Sequence, residues 1–410
     1  MVATNNRIFY ACQMVGMAKM GTDTSVSTVT NLRDAHTVAH GVQSVGVTTN
    51  FNLEQAFELG QIQVYENIEG LPDVEVTMEK VLDGYPLLYH LATPSPPSPT
   101  LVGRGKERTD LSLGIYSDAF DSVTDSGNLN LASSTGEGQP QVEIFCSGMY
   151  VGSISYTIPV DGNATESITL QGNSKQWITV ADNMHISSTG EDFGTSSLSA
   201  STDADEPKAM TMYSGGIQRR ENVRLNHCIF PKAIYGMNGT GVGNAWNSTT
   251  DVPRVHMQNI SVSTDFSRED IMELGAKSPY YRSPGFPLEV SCELEAIAIS
   301  GDFISALETG DPNFWTSTHA DYNLKGSGDN TSEEIIFIKL QDGTAIDLGK
   351  KNRLSSVSYG GGDAAGGNVA ISYSYTNFNE LTILHPQDPF FSSYTSAQQA
   401  FTADAIPAYK

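Results

Sequence analysis

The feature that most constrains this chain is an internal repeat. Residues 43–60 read QSVGVTTNFNLEQAFELG and residues 258–275 read QNISVSTDFSREDIMELG, at a constant offset of 215 (258 − 43 = 215). Eight of these 18 positions are identical, against about one expected from ordinary residue frequencies. One structural unit is therefore written twice, and both copies should fold alike.

The similarity continues in the same order along both halves. VEVTME at residues 74–79 matches LEVSCE at 288–293 with an offset of 214, and residues 153–169 match 356–372 with an offset of 203. A preserved order favours the duplication of a whole domain. We predict a first domain at residues 1–215, in which the polar stretch 187–215 is a loop or linker, and a second domain at 216–410.

Residue alternation predicts the local structure of each copy. Val45, Val47 and Thr49 alternate with small polar residues, as the equivalent residues near 262 do, which indicates a half-buried strand. Asn52 and Ser267 then have the spacing of helix N-caps, and Gly60 and Gly275 suit a helix C-terminus. We expect a helix of about two turns in each copy, pinned to the sheet by apolar side chains: Phe57, Leu59, Met272 and Leu274.

A second pair of strands is predicted to carry acidic side chains on one face. Apolar residues at 74, 76 and 78 alternate with polar ones, and the second copy does the same from residue 288. The acidic residues of this face are Glu75, Glu79, Glu289, Glu293 and Glu295. An ordinary solvated face and the wall of an acidic channel are both compatible with this pattern.

Composition limits the classes of function. The chain has 410 residues, of which 17% are charged, with 23 basic against 47 acidic side chains. A net charge of −24 argues against gripping nucleic acid, because phosphate binding needs a basic surface. The four scattered cysteines fit buried free thiols, and no stretch approaches the ~18 apolar residues of a membrane span.

No motif of catalysis or cofactor binding stands out. His36 and His40 have helical spacing but no third metal ligand nearby, and GTGVG at 239–243 lacks the βα context of a phosphate-binding turn. Nucleophile elbows, P-loops and Cys/His nucleophile motifs are absent from the sequence. We therefore expect a protein that is not an enzyme, with no catalytic residue, metal or cofactor.

Residues 41–84 resemble a segment of the tail tube and related virion structural proteins of tailed bacteriophages. Residues 161–173, DGNATESITLQGN, are similar to another stretch of the same proteins. The resemblance implies a mainly β chain of two tandem tail-tube-like β-sandwich or partial-barrel domains, each with a short α-helix. Their strands would join a closed barrel between subunits, and stacked rings would form a hollow tube in the virion tail.

The resemblance also implies the partners. Three duplicated chains would make a pseudo-hexameric ring, with six chains per ring as the second choice. The other expected partners are tape-measure and tail-end proteins, with DNA passing through the lumen unbound, no membrane, assembly in the host cytoplasm, and a sheath left open. The connections at 60–71 and 275–286 would reach an adjacent ring or subunit, with a mobile surface loop as the alternative; their candidate residues are Gln61, Tyr65, Glu66, Tyr280, Tyr281 and Arg282. The alternative function is another phage component: baseplate, capsid or receptor-binding adhesin.

Overall fold

The structure, a computed structural model, describes residues 8, 13–19, 37–60, 62, 64–93, 97–115, 142–179, 216–225, 228–231, 234, 256–297, 334–360 and 368–385. Across these residues the chain is mainly β, as predicted. The strands of the first half are β1 (Gln13–Lys19), β2 (Thr37–Val38), β3 (Val42–Phe57), β4 (Val64–Val81), β5 (Thr109–Ile115), β6 (Val142–Pro159), β7 (Thr165–Gly172) and β8 (Ser174–Ile178).

The second half supplies the remaining strands. They are β9 (Met257–Asp265), β10 (Glu269–Ile271), β11 (Tyr281–Ser283), β12 (Glu289–Ile297), β13 (Phe337–Lys339), β14 (Ala345–Asp347), β15 (Arg353–Tyr359), β16 (Ala370–Phe378) and β17 (Thr382–Leu384). Helical structure is confined to α1 (Leu88–Ala92), α2 (Leu101–Arg104) and a 3₁₀ turn at Arg220–Asn222 in the described part of the chain.

Eight antiparallel strands form a continuous sheet in the order β3-β4-β7-β6-β9-β12-β16-β15. The long strand β6 belongs to two sets of neighbours. Its first half pairs with β5 and β8, and its second half pairs with β7 and β9. Beyond β5 lie β1 and then β2, while β13, β14 and β17 form a separate small sheet.

The strand order and the register of the sheet repeat. The series β3-β4-β7-β6 has the same connectivity as β9-β12-β16-β15, and the two series meet where β6 pairs with β9. Thr49 pairs with Val74 and Thr264 with Val290, so β4 and β12 correspond at an offset of 216 (290 − 74 = 216) rather than the predicted 214. Because the side-chain period of a strand is two residues, this correction leaves every side chain on its predicted face.

One face of this sheet supplies the core. Val76, Ile154, Val262 and Cys292 are almost fully buried, and they share a single apolar cluster with residues of α1, β1 and β5. The half-buried alternation predicted at Val45 and its neighbours is confirmed. Three cysteines, Cys146, Cys228 and Cys292, are buried free thiols, while Cys12 lies outside the described residues.

The two predicted helices are absent, and the prediction was wrong. Residues 52–57 continue β3 and pair with the beginning of β4, and the second copy forms the short hairpin β10-β11. Gly60 and Gly275 have the predicted positive φ, 89° and 91°, but they lie in hairpin turns. The side chains expected to pin a helix are exposed, with Leu59 and Leu274 fully in solvent.

The sheet of the single chain is open. Among the described strands, β3 pairs only with β4 and β15 only with β16, so the closed barrel implied by the resemblance is not present in one chain. The predicted linker at 187–215 lies outside the described residues. Immediately after it, Gln218 donates its N–H to Leu82 and accepts a hydrogen bond from Ala164, which ties the segment to the first half.

Candidate functional site: a polar sheet face and two hairpin arms

The face of the eight-stranded sheet opposite the core is built from short hydroxyl side chains and carboxylates. We call it the polar face. Glu79 of β4 is flanked by Ser44 and Ser167 on the neighbouring strands. Glu293 of β12 is flanked in the same way by Ser261 and Ser374. The acidic side chains therefore lie on the second strand of each four-strand series.

All five predicted acidic residues lie on the polar face. Glu75, Glu79, Glu289 and Glu293 are exposed, and Glu295 is half-buried. The eight strands contain two basic residues, Lys80 and Arg353. Lys80 points to the core side, where its ammonium lies 2.6 Å from Asp83. Arg353 starts β15 at the edge of the sheet, so the interior of the polar face carries carboxylates without basic side chains.

Two equivalent hairpins project from the sheet. We call residues 52–69 the first arm and residues 267–284 the second arm. Their ladders match at an offset of 215, since Glu54 pairs with Ile68 and Glu269 with Ser283. The base of each arm needs a glycine, because a Cβ at Gly70 would lie 2.6 Å from a backbone oxygen of the opposite strand, and Gly285 is placed in the same way.

Apolar side chains cover both arms and point into solvent. The exposed residues of the first arm and its root are Phe51, Leu53, Phe57, Leu59, Ile62 and Ile68, and those of the second arm are Ile271, Met272, Leu274 and Tyr280. Exposed apolar residues in contiguous groups mark interaction surfaces in soluble proteins. The arms are thus the candidate contact surfaces of the molecule.

The second arm is anchored on the first half of the chain. Arg282 forms ion pairs with Asp270 of its own arm at 2.8 Å and with Asp73 of β4 at 3.3 Å. Arg268 donates to the carbonyl of Val151 at 2.6 Å. Its guanidinium also lies 4.7 Å from the centre of the Tyr150 ring, and burial lowers the pKa of Arg268 to about 10.

The predicted contact residues divide between exposed and anchored positions. Glu66 and Tyr280 are exposed, whereas Arg282 is buried and Tyr281 packs edge-on against Tyr150. Tyr281 and Arg282 therefore contact their own chain, which corrects the expectation that they reach another subunit or ring. The backbone of Tyr65 belongs to β4, and Gln61 lies outside the described residues.

Sequence reasoning missed the anchor formed by Asp73, Tyr150 and Arg268. Arg268 stands where the first copy has Leu53, and Arg282 stands where it has Asn67. Such departures between two similar copies were the available signal, because a side chain that differs between equivalent arms has a different environment in each.

The described residues offer no metal or membrane site. Within the described ranges, no group of three or more His, Cys, Asp or Glu side chains is placed to hold a metal ion. His40 stacks on Tyr85, and burial lowers its pKa to about 4; His36 lies outside the described residues. Among the helices described, none has the length and apolar character needed to cross a bilayer.

Comparison with known proteins gives little. No family model matches the sequence, and no curated protein sequence matches it. Among solved structures, the chain is similar to the anti-feeding prophage cap, which terminates the AFP tube, with a TM-score of 0.28 and 13% sequence identity. That alignment covers 44% of this chain and 96% of the cap. The similarity is too low to establish a shared fold.

Proposed function

We propose that this chain is a structural protein of a bacteriophage tail, which self-assembles into stacked rings around a hollow conduit for DNA. The observation that carries the proposal is the eight-stranded sheet, in which one four-strand order occurs twice, edge to edge, with a polar, acidic face. A sheet that already joins two such series through one junction can extend through further identical junctions. The proposed role is mechanical and assigns the chain no catalytic activity or cofactor.

Strand arithmetic favours a ring of three chains. If each four-strand series is one of two tandem tail-tube-like domains, three chains supply 24 strands, and six single-domain subunits would supply the same number. A barrel of that size leaves an open lumen, since barrel diameter grows with strand number. Six chains per ring is the second choice, and closure in either form would remove the free edges of β3 and β15.

The polar face suits the wall of the conduit. Carboxylates such as Glu79 and Glu293, set among serine hydroxyls, repel the phosphates of passing DNA. An acidic wall without interior basic residues releases no counterions from DNA and so gives no electrostatic gain on binding. Genome ejection would then meet no adhesive site.

The arms suit contacts between successive rings, because their exposed apolar tips stand clear of the sheet. Tape-measure and tail-end proteins are the proposed further partners, and the proposed location is the virion tail after assembly in the host cytoplasm. A membrane has no part in the proposed role.

Electron microscopy of the purified full-length chain tests the function. We expect hollow tubes at raised protein concentration, with rings of three-fold symmetry that imitate six-fold symmetry at low resolution. A receptor-binding adhesin would give separate particles without stacked rings. Persistently monomeric protein over a range of concentration and salt, with no tubes, would contradict the proposal.

A further inference from the structure

The chain contains an internal template for contact between copies. The edge of β9 is covered by β6, whereas the equivalent edge of β3 has no strand beside it in the described part of the chain. We propose that this edge of β3 binds the β15 edge of a second copy, in the register that joins β6 to β9. The inference rests on the proposed function for the ring that such contacts would build, but the contact is testable by itself.

Burial of equivalent residues supports a missing neighbour at β3. Phe266 follows β9 and is 0% exposed, while its equivalent Phe51 is 70% exposed. Val262 and Thr264 are buried in β9, but the corresponding Val47 and Thr49 are only half-buried in β3. The difference has the direction expected if β3 lacks the partner that β9 already has.

The edge of β15 has the same shape as the edge of β6. In β6 the register shifts between Val151 and Ser153, and in β15 it shifts between Leu354 and Ser356. The extra residue is Gly152 in the first case and Ser355 in the second, equivalent at an offset of 203. β-Bulges redirect an edge and determine what can pair with it, so both edges are prepared for the same kind of partner.

The internal junction dictates the register between copies. Ser155 pairs with Ser263, which corresponds to Ser358 of one copy opposite Thr48 of the next (155 + 203 = 358; 263 − 215 = 48). Phe266 donates its N–H to the carbonyl of Gly152 at 2.8 Å. The equivalent bond would run from the N–H of Phe51 to the carbonyl of Ser355 in the second copy.

The second copy is a more specific occupant than an unrelated strand. Two β3 edges could also pair with each other, but that contact would not reproduce the bulge facing Phe51. Head-to-tail pairing of β15 with β3 uses both free edges and closes only when the rotation per copy completes a ring.

Disulfide trapping between two different single-cysteine proteins tests the register. Cys12 is changed to Ser in both, and the three described cysteines are buried and stay. Protein with Thr48→Cys is mixed with protein with Ser358→Cys and oxidised gently, and the covalent dimer is measured on a non-reducing gel. The control mixture replaces Thr48→Cys by Asn50→Cys, which keeps the face and shifts the register by two residues.

The matched mixture should give about tenfold more covalent dimer than the shifted mixture, since disulfides need Cα atoms within ~7 Å. Equal yields from both mixtures would overturn the proposed register. A dimer formed by Thr48→Cys protein alone would replace it with β3-to-β3 pairing. Rings seen by microscopy without any trapped dimer would refute this contact and leave the tube intact; trapped dimers without tubes would do the reverse.

A proline substitution gives an independent readout. Phe266 donates toward β6 and Gln258 accepts a bond from Val160, so alternate residues of β9 face the junction, and Thr49 is in the equivalent set on β3. Thr49→Pro removes one N–H that faces outward, which an edge strand tolerates, whereas Thr49→Val removes only the hydroxyl. Association measured by light scattering should be lost for Thr49→Pro and kept for Thr49→Val; association of both variants would contradict the proposal.

Discussion

At the scale of single residues, the least predictable feature is Glu166. Its carboxylate accepts the N–H groups of Leu88 and Tyr89 and the hydroxyl of Tyr156, at 2.7 to 3.0 Å. Leu87, at the N-cap of α1, makes no side-chain cap, so Glu166 performs this task from 77 residues away in sequence. Alternation along β7 places Glu166 on the core side, but no local pattern in the sequence indicates which partners satisfy it.

Replacing Glu166 should destabilise the fold. Glu166→Leu leaves two N–H groups and a hydroxyl buried without their acceptor, and we expect a loss of about 3 kcal/mol or more in the free energy of unfolding. Glu166→Gln keeps one acceptor oxygen and should lose about 1 kcal/mol. Urea denaturation followed by tryptophan fluorescence measures both, and equal stabilities for the two variants would show that the bonds to Glu166 contribute little.

Asp342 predicts a pH dependence of stability. Burial raises its pKa to about 6, Asp83 adds to the rise, and hydrogen bonds from Thr344 and the charge of Lys80 oppose it. Because the folded state holds this proton more tightly than the unfolded state, the stability contribution is complete below about pH 4 and is lost as the pH rises through 6. The loss attributable to this group is about 3 kcal/mol at most.

The comparison with Asp342→Asn isolates that contribution. Glu334, whose pKa burial raises to about 7, changes stability in the same direction in both proteins. The difference in unfolding free energy between the variant and the natural protein should therefore increase from pH 4 to pH 7 in favour of the variant. A difference that stays constant with pH would assign the proton to another group.

At the scale of elements, the sequence predicted strands better than helices. The alternation at Val45 to Thr49 and at Val74 to Met78 survives in the structure because each strand has one buried face, which fixes the period of two. Residues 52–60 have caps and good helix-forming residues, but a helix of two turns is marginal in water. Pairing with residues 64–69 satisfies the backbone instead, and that long-range pairing was not visible in local propensity.

The tip of the first arm should determine stacking and leave folding unchanged. Leu59 and Ile62 are fully exposed, so Leu59→Asp with Ile62→Asp removes no core contact and should change the unfolding free energy by less than about 0.5 kcal/mol. If the arm contacts the next ring, the double variant gives single rings or short stacks under the microscope. Tubes of normal length would place the inter-ring contact elsewhere.

Removing the whole first arm gives a second form of the same test. Deleting residues 53–69 joins Asn52 to Gly70 and creates an Asn-Gly turn, which suits a two-residue hairpin. The shortened protein should fold and fail to stack, like the double variant. The matched control is Leu274→Asp in the second arm, whose root is anchored on its own chain by Arg268 and Arg282.

At the scale of the whole molecule, the repeat indicated more than any single motif could. It predicted the equivalence of the β3 and β9 strands, and the order of the later segments matches the order of strands in the sheet. It could not predict that Arg268 and Arg282 anchor one arm while the other arm stays exposed. Two copies of one sequence meet different surroundings at the centre and at the edge of a sheet.

The charge of the polar face gives the last prediction. Changing Glu75, Glu79, Glu289, Glu293 and Glu295 to Lys places five cations per chain on the face that we assign to the lumen. Because these side chains have no core contacts, tubes should still form. They should now retain DNA, with an affinity that falls steeply as salt increases, since bound lysines release counterions from phosphates.

The matched control changes the same five residues to Gln, which removes the negative charge without adding a positive one. These tubes should neither repel nor retain DNA strongly. DNA retention is measured by co-sedimentation with purified tubes, and ejection by the release rate from assembled virions. If the Lys tubes bind DNA only on their outer surface, as gold-labelled DNA would reveal, the polar face is not the lumen, and the open edges of β3 and β15 close the sheet in the opposite sense.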